Sequence, residues 1–209
     1  MTSINLAIFA SGSGTNCENI IRHFKNSDLI NIALVVCNRE EAKVVERARR
    51  LGVDTRIITK AMLEDEQTFL PMLREYGIDF IVLAGFLLMI PAYLIEEFNR
   101  KMINIHPSLL PKFGGKGMFG MHVHEAVFKA REQKTGFTVH WVTEKCDGGE
   151  IVMQCQTDLL PTDDIEAIAQ KEHELEMKFF PKIIERLVLD CFKDGGDALE
   201  SISRNRMDT

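Results

Sequence analysis

The 209-residue sequence lacks any C-x-x-C pair: Cys17, Cys37, Cys146, Cys155 and Cys191 are scattered along it. Five thiols without framework spacing argue against a disulfide-stapled scaffold and are expected as reduced cysteines in a reducing compartment. No apolar run is long enough to span a bilayer, and residues 1–5 lack the layout of a signal peptide. A cytoplasmic chain with no membrane partner is therefore expected. A basic excess is also missing, with 25 Lys and Arg against 31 Asp and Glu for a net charge of -6. That balance argues against a general nucleic-acid binder. It leaves room for an anionic small molecule, because a few aimed backbone amides hold a phosphate. There is no internal repeat and no linker-like stretch. Hydrophobic residues make up 45% of the chain, enough for a substantial core. Residues 1–190 are expected to form a single domain, with 191–209 as a polar tail.

Short runs rich in β-branched residues alternate with helical patterns. Strands are expected at 4–10, 30–37, 54–58, 80–84 and 102–105, with helices at 16–24, 42–51, 65–76 and 91–98 between them. Gly77 marks one helix stop, and Pro91 falls in the first turn of another. This β-α repetition implies an α/β fold, a doubly wound and mostly parallel sheet with helices on both faces. Beyond residue 111 the pattern changes. Residues 112–120 hold four glycines and read as a mobile loop, 124–131 as a helix, and 137–142 and 151–157 as strands around an Asp147-Gly148-Gly149 reversal. These last strands are expected to be partly antiparallel. A closing helix covers 163–189, capped by Thr162 or Asp163 and bent at Pro181.

Ser11-Gly12-Ser13-Gly14-Thr15-Asn16 lies between the first strand and the first helix. Glycines let the backbone turn sharply, and the following helix presents unpaired N–H groups and its positive end to an anion. The third glycine of a dinucleotide fingerprint is replaced by Cys17, and no acidic residue ends the second strand. A monophosphate fits this turn better than NAD.

The segment Asn104-Ile105-His106-Pro107-Ser108-Leu109-Leu110-Pro111 carries the most chemistry. Period two along a strand places Asn104 and His106 on one face. Both lie at a carboxyl end, where open α/β sheets place their ligand chemistry. Histidine exchanges a proton near neutral pH, and an asparagine amide donates to a developing oxyanion. Asp147 is the obvious carboxylate to orient the imidazole and favour its protonated form. Among the other histidines, His122 and His124 have no third ligand nearby, so no metal is expected. His140 reads as a satisfied pocket-wall residue and His173 as exposed.

Taken in order, Ser11–Asn16, Leu83-Ala84-Gly85-Phe86, Asn104–Pro111 and Asp147-Gly148-Gly149 resemble the phosphoribosylglycinamide formyltransferases, across roughly residues 4–190. The resemblance implies a formyltransferase-like Rossmann-type fold. It also implies transfer of a formyl group from 10-formyltetrahydrofolate, the co-substrate, to the amine of glycinamide ribonucleotide in purine biosynthesis. By the same resemblance Asn104, His106 and Asp147 are catalytic, and Gly14, Thr15, Asn16 and Glu176 hold the ribonucleotide, with Glu172 the second choice for the glutamate. Leu87, Leu88, Met89 and Ile90, together with Thr143, Glu144, Lys145, Cys146 and Asp147, line the folate pocket. Leu88 stands where a basic residue is often found, and Glu66 where some members carry an arginine. Lys116 in the glycine loop is expected to be solvated. The partners implied are small molecules and no nucleic acid; a homodimer stays open. Rival readings are a formyltetrahydrofolate hydrolase, a methionyl-tRNA formyltransferase and a non-catalytic phosphate-binding module.

Overall fold

β-branched strands and the helices between them build one seven-stranded sheet in the order β3-β2-β1-β4-β5-β6-β7. The structure, a computed structural model, describes residues 3–193. In chain order the elements are β1 (Ile4–Phe9), α1 (Thr15–Phe24), β2 (Ile30–Cys37), α2 (Lys43–Arg50), β3 (Thr55–Ile57), α3 (Lys60–Glu64), α4 (Glu66–Glu75), β4 (Phe80–Leu83), α5 (Ala92–Glu97), β5 (Met102–His106), α6 (Met121–Lys129), β6 (Lys134–Trp141), β7 (Ile151–Asp158) and α7 (Ile165–Lys193). The pairings among β1 to β5 are parallel, whereas β5–β6 and β6–β7 are antiparallel.

Strand alternation sorts the core into two layers. Leu6, Ile8, Phe80, Val82, Ile103, Ile105, Phe137, Val139 and Trp141 face the layer that includes residues of α1, α2 and α7. Ala7, Phe9, Ile81, Leu83 and Met102 face the other, with residues of α3, α4 and α5. Both faces of the central strands are thereby covered, which is why β4 is apolar throughout. Side chains as fully buried as Phe137 and Phe180 each contribute roughly 1.5–3 kcal/mol of transfer free energy. On β5, period two sends Ile103 and Ile105 into the first layer and leaves Asn104 and His106 on the face of Met102.

Several local expectations shift. Thr59 caps the short α3, its hydroxyl accepting from the Met62 N–H at 3.1 Å, so residues 60–64 are helical rather than connecting chain. Pro91 is the N-cap of α5 and not part of its first turn. Helix α6 begins at Met121, three residues early, and β6 begins at Lys134, also three residues early. Asp164, rather than Thr162 or Asp163, caps α7: its Oδ1 accepts from the Ala167 N–H at 2.8 Å. Asp163 instead accepts from the Leu160 N–H and pairs with Lys171. Helix α7 runs on through Pro181 to Lys193, so residues 191–193 of the expected tail are helical, and the rest of it lies outside the described residues. No helix among the described residues is long and apolar enough to cross a membrane.

Gly136 marks the closest backbone approach in the antiparallel half. A Cβ there would stand 1.9 Å from the Cys155 carbonyl oxygen across the β6–β7 ladder. Gly136→Ala is expected to lower the unfolding free energy by about 1–3 kcal/mol through forced separation of the strands. Urea denaturation measures this, and an unchanged midpoint would show that the ladder opens without cost.

Candidate functional site

The turn after β1 is locked to the segment after β4. The Ser11 N–H donates to the Gly85 carbonyl at 3.0 Å, and the Leu87 N–H donates to Ser11 Oγ at 2.9 Å. Gly14 caps α1 in the left-handed region with φ of 73°, and a Cβ on it would lie 2.6 Å from Val44 Cβ. Only glycine meets both demands. No side chain caps α1, so its first N–H groups keep the free, positive end that suits an anion. In the first turn of α1, Asn16 Nδ2 donates to Glu176 Oε2 of α7 at 2.8 Å. The glycine turn and Glu176, 160 residues from Asn16, thus share one corner.

At the carboxyl end of β5, Asn104 pairs in register with His140 of β6, and His106 with Thr138. His106 is 4% exposed and His140 3%. The His106 ring directs Nδ1 toward Asp147 Oδ2 at 3.6 Å and donates from Nε2 to the Phe113 carbonyl at 2.8 Å. His140 Nδ1 lies 2.9 Å from the Trp141 carbonyl oxygen, and its Nε2 lies 3.0 Å from Asn104 Nδ2. Asn104 Nδ2 also reaches Asp147 Oδ1 at 3.4 Å, and His140 Nε2 lies 3.6 Å from the same oxygen. The Gly115 N–H donates to Asp147 Oδ2 at 2.8 Å.

Asp147 adopts φ of 50° in the turn between β6 and β7. Burial works against its charge. Contact with the His140 ring, the Gly115 N–H and the two imidazoles outweigh that cost and hold the carboxyl down at about 2. The loop behind His106 is anchored as well. Thr138 Oγ1 donates to the Ser108 carbonyl at 2.6 Å, and the Leu110 N–H donates to that hydroxyl at 3.0 Å. Beside Asp147 a cavity of about 310 Å³ is lined by Leu110, Gly114, Gly115, Lys145, Cys146 and Gly148, among others.

Not every expected residue joins this constellation. Phe86, Leu88, Ile90 and Val142 all belong to the second core layer, which puts residues 87–90 and the chain entering 143–147, the two segments expected to line a folate pocket, on one side of the sheet. Leu87 and Met89 are exposed, as are Glu144, Lys145 and Cys146, while Thr143 is exposed at its hydroxyl contact with the Lys145 carbonyl. Cys146 Sγ lies 3.6 Å from Asp147 Oδ2. Glu66 and Lys116 are exposed. His122 and His124 fall in the first turn of α6, where His122 is exposed and His124 buried, so they do not share a face as strand residues would. Among the described residues no group of three His, Cys, Asp or Glu is arranged to hold a metal.

His173 is half-buried rather than exposed, and its Nδ1 meets Glu176 Oε2 at 3.4 Å. His140 does more than satisfy a pocket wall, since it contacts both Asn104 and Asp147. The spacing Thr138-x-His140 signals a shared strand face, but only the β5–β6 register reveals what that face opposes. Phe113 gave no side-chain signal, because its carbonyl makes the contact.

The formyl transferase family profile matches residues 4–184. The chain is 35% identical over 207 residues to a chloroplastic phosphoribosylglycinamide formyltransferase of Arabidopsis thaliana, covering 96% of this chain and 71% of that protein. It is 36% identical over 187 residues to the phosphoribosylglycinamide formyltransferase of Bacillus subtilis, covering 87% of this chain and 93% of that one. The chain belongs to the formyl transferase family, in its phosphoribosylglycinamide formyltransferase branch. Among solved structures, the family member from Anaplasma phagocytophilum superposes with a TM-score of 0.81 at 31% identity, over 90% of this chain and 88% of that chain. Glycinamide ribonucleotide transformylase 1 from Geobacillus kaustophilus gives 0.79 at 36% identity, over 88% and 98%.

The Asp147 carboxyl is more acidic in the fold than its ordinary value of 3.8. Its charge therefore adds stability that is fully present above 3.8 and is lost as pH falls toward about 2. Thermal melts of the wild type and Asp147→Asn are expected to differ by a constant amount near neutrality and to converge in acid. A gap that stays level throughout would contradict the direction of the shift.

Proposed function

We propose that the protein transfers the formyl group of 10-formyltetrahydrofolate to the amine of glycinamide ribonucleotide, acting as a single formyltransferase domain. One observation carries the assignment of residues: Asp147, from the turn between β6 and β7, lies 3.4 Å from the Asn104 amide and 3.6 Å from the His106 ring at the carboxyl end of β5. Family membership supports the same activity. The free amide end of α1 at Gly14, Thr15 and Asn16 suits the ribonucleotide phosphate, and the Glu176 carboxyl, bonded to Asn16, suits its sugar hydroxyls. The segments 87–90 and 143–147 suit the folate.

Attack of the amine nitrogen on the formyl carbon develops negative charge on the formyl oxygen. A protonated His106, facing the Asp147 carboxylate, stabilises that charge from Nε2, and the Asn104 amide supplies a second donor. Without substrate, His106 Nε2 is engaged by the Phe113 carbonyl, which must yield to the formyl oxygen. The Asn104 bond to Asp147, at 3.4 Å, is the weaker of that amide's two contacts and the easier to redirect. The attacking amine then gives up a proton, and the folate nitrogen takes one as its bond to the formyl carbon breaks. His106, or a water held by Asp147, carries the proton between them.

His106→Ala and Asp147→Asn are each expected to lower kcat by about 10²-fold or more with the fold intact. A spectrophotometric assay with both substrates, paired with circular dichroism, checks this. Near-normal turnover in either variant would refute the catalytic roles of these two residues, and formyl release that needs no ribonucleotide would favour a hydrolase instead.

A further inference from the structure

Behind the glycine turn, the inner face of α7 buries two carboxyls one helical turn apart. Glu172 is 3% exposed and Glu176 is 7% exposed. Glu176 has donors: Asn16 Nδ2 at 2.8 Å from α1 and His173 Nδ1 at 3.4 Å from α7. His124, from the first turn of α6, is buried with Nδ1 unpartnered and senses the charge of Glu176. Glu172 is placed differently. Its Oε1 is buried without a hydrogen-bond partner, and its carboxyl hydrogen-bonds to Glu176.

Carboxyls in contact inside a protein do not both ionise, so the pair shares one proton. Asn16 and His173 direct their side chains at Glu176, whereas Glu172 Oε1 has no such partner, which leaves the proton on Glu172. Burial, then the charge of Glu176 and the hydrogen bond to it, push the Glu172 acid well above its usual range. His124 is held below its ordinary value by burial, whereas the bond to Glu176 raises His173. His124 of α6 and His173 of α7 feel the charge of Glu176, and the neutral Asn16 of α1 donates to it.

We propose that Glu172 is a positioning residue for ribonucleotide binding: as a neutral acid it donates to Glu176 and, together with Asn16, fixes that carboxylate for the sugar of the substrate. This rests on the assignment of Glu176 and Asn16 to the ribonucleotide site. Loss of the Glu172 proton removes a donor from Glu176 and buries a second negative charge beside it. Both effects weaken the ribonucleotide site and leave the chemistry at His106, on β5, unchanged.

The experiment compares the full-length wild type with Glu172→Gln, Glu172→Leu and Glu176→Gln. Initial rates with both substrates are followed across neutral and alkaline pH, alongside thermal unfolding. Glu172→Leu is expected to raise the ribonucleotide KM about tenfold, while kcat and the folate KM stay within about twofold. Glu172→Gln keeps a donor, so it restores the ribonucleotide KM near neutrality and removes the part of the alkaline rise that the wild type owes to Glu172.

A purely structural Glu172 would move stability without this split. The folded acid retains a proton that the unfolded chain releases above 4.5, so its stability cost grows as pH rises past that value. Glu172→Gln should accordingly raise Tm more in mildly alkaline than in mildly acidic buffer. An unchanged ribonucleotide KM in Glu172→Leu, with Glu176→Gln impaired, overturns the role of Glu172 alone. If Glu172→Leu fails to fold, parallel pH profiles of KM in the wild type and Glu172→Gln overturn it equally. An unaffected ribonucleotide KM in Glu176→Gln overturns the underlying site assignment.

Discussion

The reversal of strand direction between β5 and β6 is the constraint on which the site depends. A parallel neighbour would offer its own carboxyl end and a crossover helix beside His106. The antiparallel β6 instead sets His140 opposite Asn104 and Thr138 opposite His106. The chain then leaves β6, and the Trp141 N–H closes on the Glu150 carbonyl at 2.9 Å, so the residues between them reach back over the same face. That excursion delivers Asp147. A one-residue slip in the β5–β6 register would turn Asn104 and His140 to opposite faces and take the carboxylate's partners away.

Placing a charged carboxylate among buried rings has a cost that the fold offsets locally. Asp147 surrenders much of its hydration, and the Gly115 N–H, the Asn104 amide and two imidazoles replace it. Gly115 belongs to the glycine-rich loop that also places the Phe113 carbonyl on His106 Nε2. One loop therefore both supports the carboxylate and caps the imidazole donor. Loop position and the availability of the donor are coupled through two backbone groups, so the side chains of this loop need not be chemically distinctive.

The second corner follows the opposite logic. The Glu176 carboxyl is held by Asn16 and His173, with Glu172 buried one helical turn away. In the role proposed for Glu172, a proton shared by the two carboxyls, rather than a cation, absorbs the excess of acid. The corner forms because Gly14 turns the chain tightly enough for α1 to start against Val44, bringing Asn16 within reach of α7.

Strand alternation, the glycine turn and the carboxyl-end position of Asn104 and His106 were legible in the sequence, because period two and backbone sterics act over a few residues. The parallel order followed from β-α repetition for the same reason. What stayed hidden were contacts set by pairing register and by backbone atoms. These include His140 against Asn104, the Phe113 carbonyl on His106, His173 and Glu172 around Glu176, and the capping of α7 by Asp164 instead of its neighbours. Most of these contacts depend on which segments the fold lays side by side, and no local periodicity encodes that. Local chemistry decided which side chains were able to act, and the β5–β6 reversal and the packing of α7 on α1 decided which of them meet.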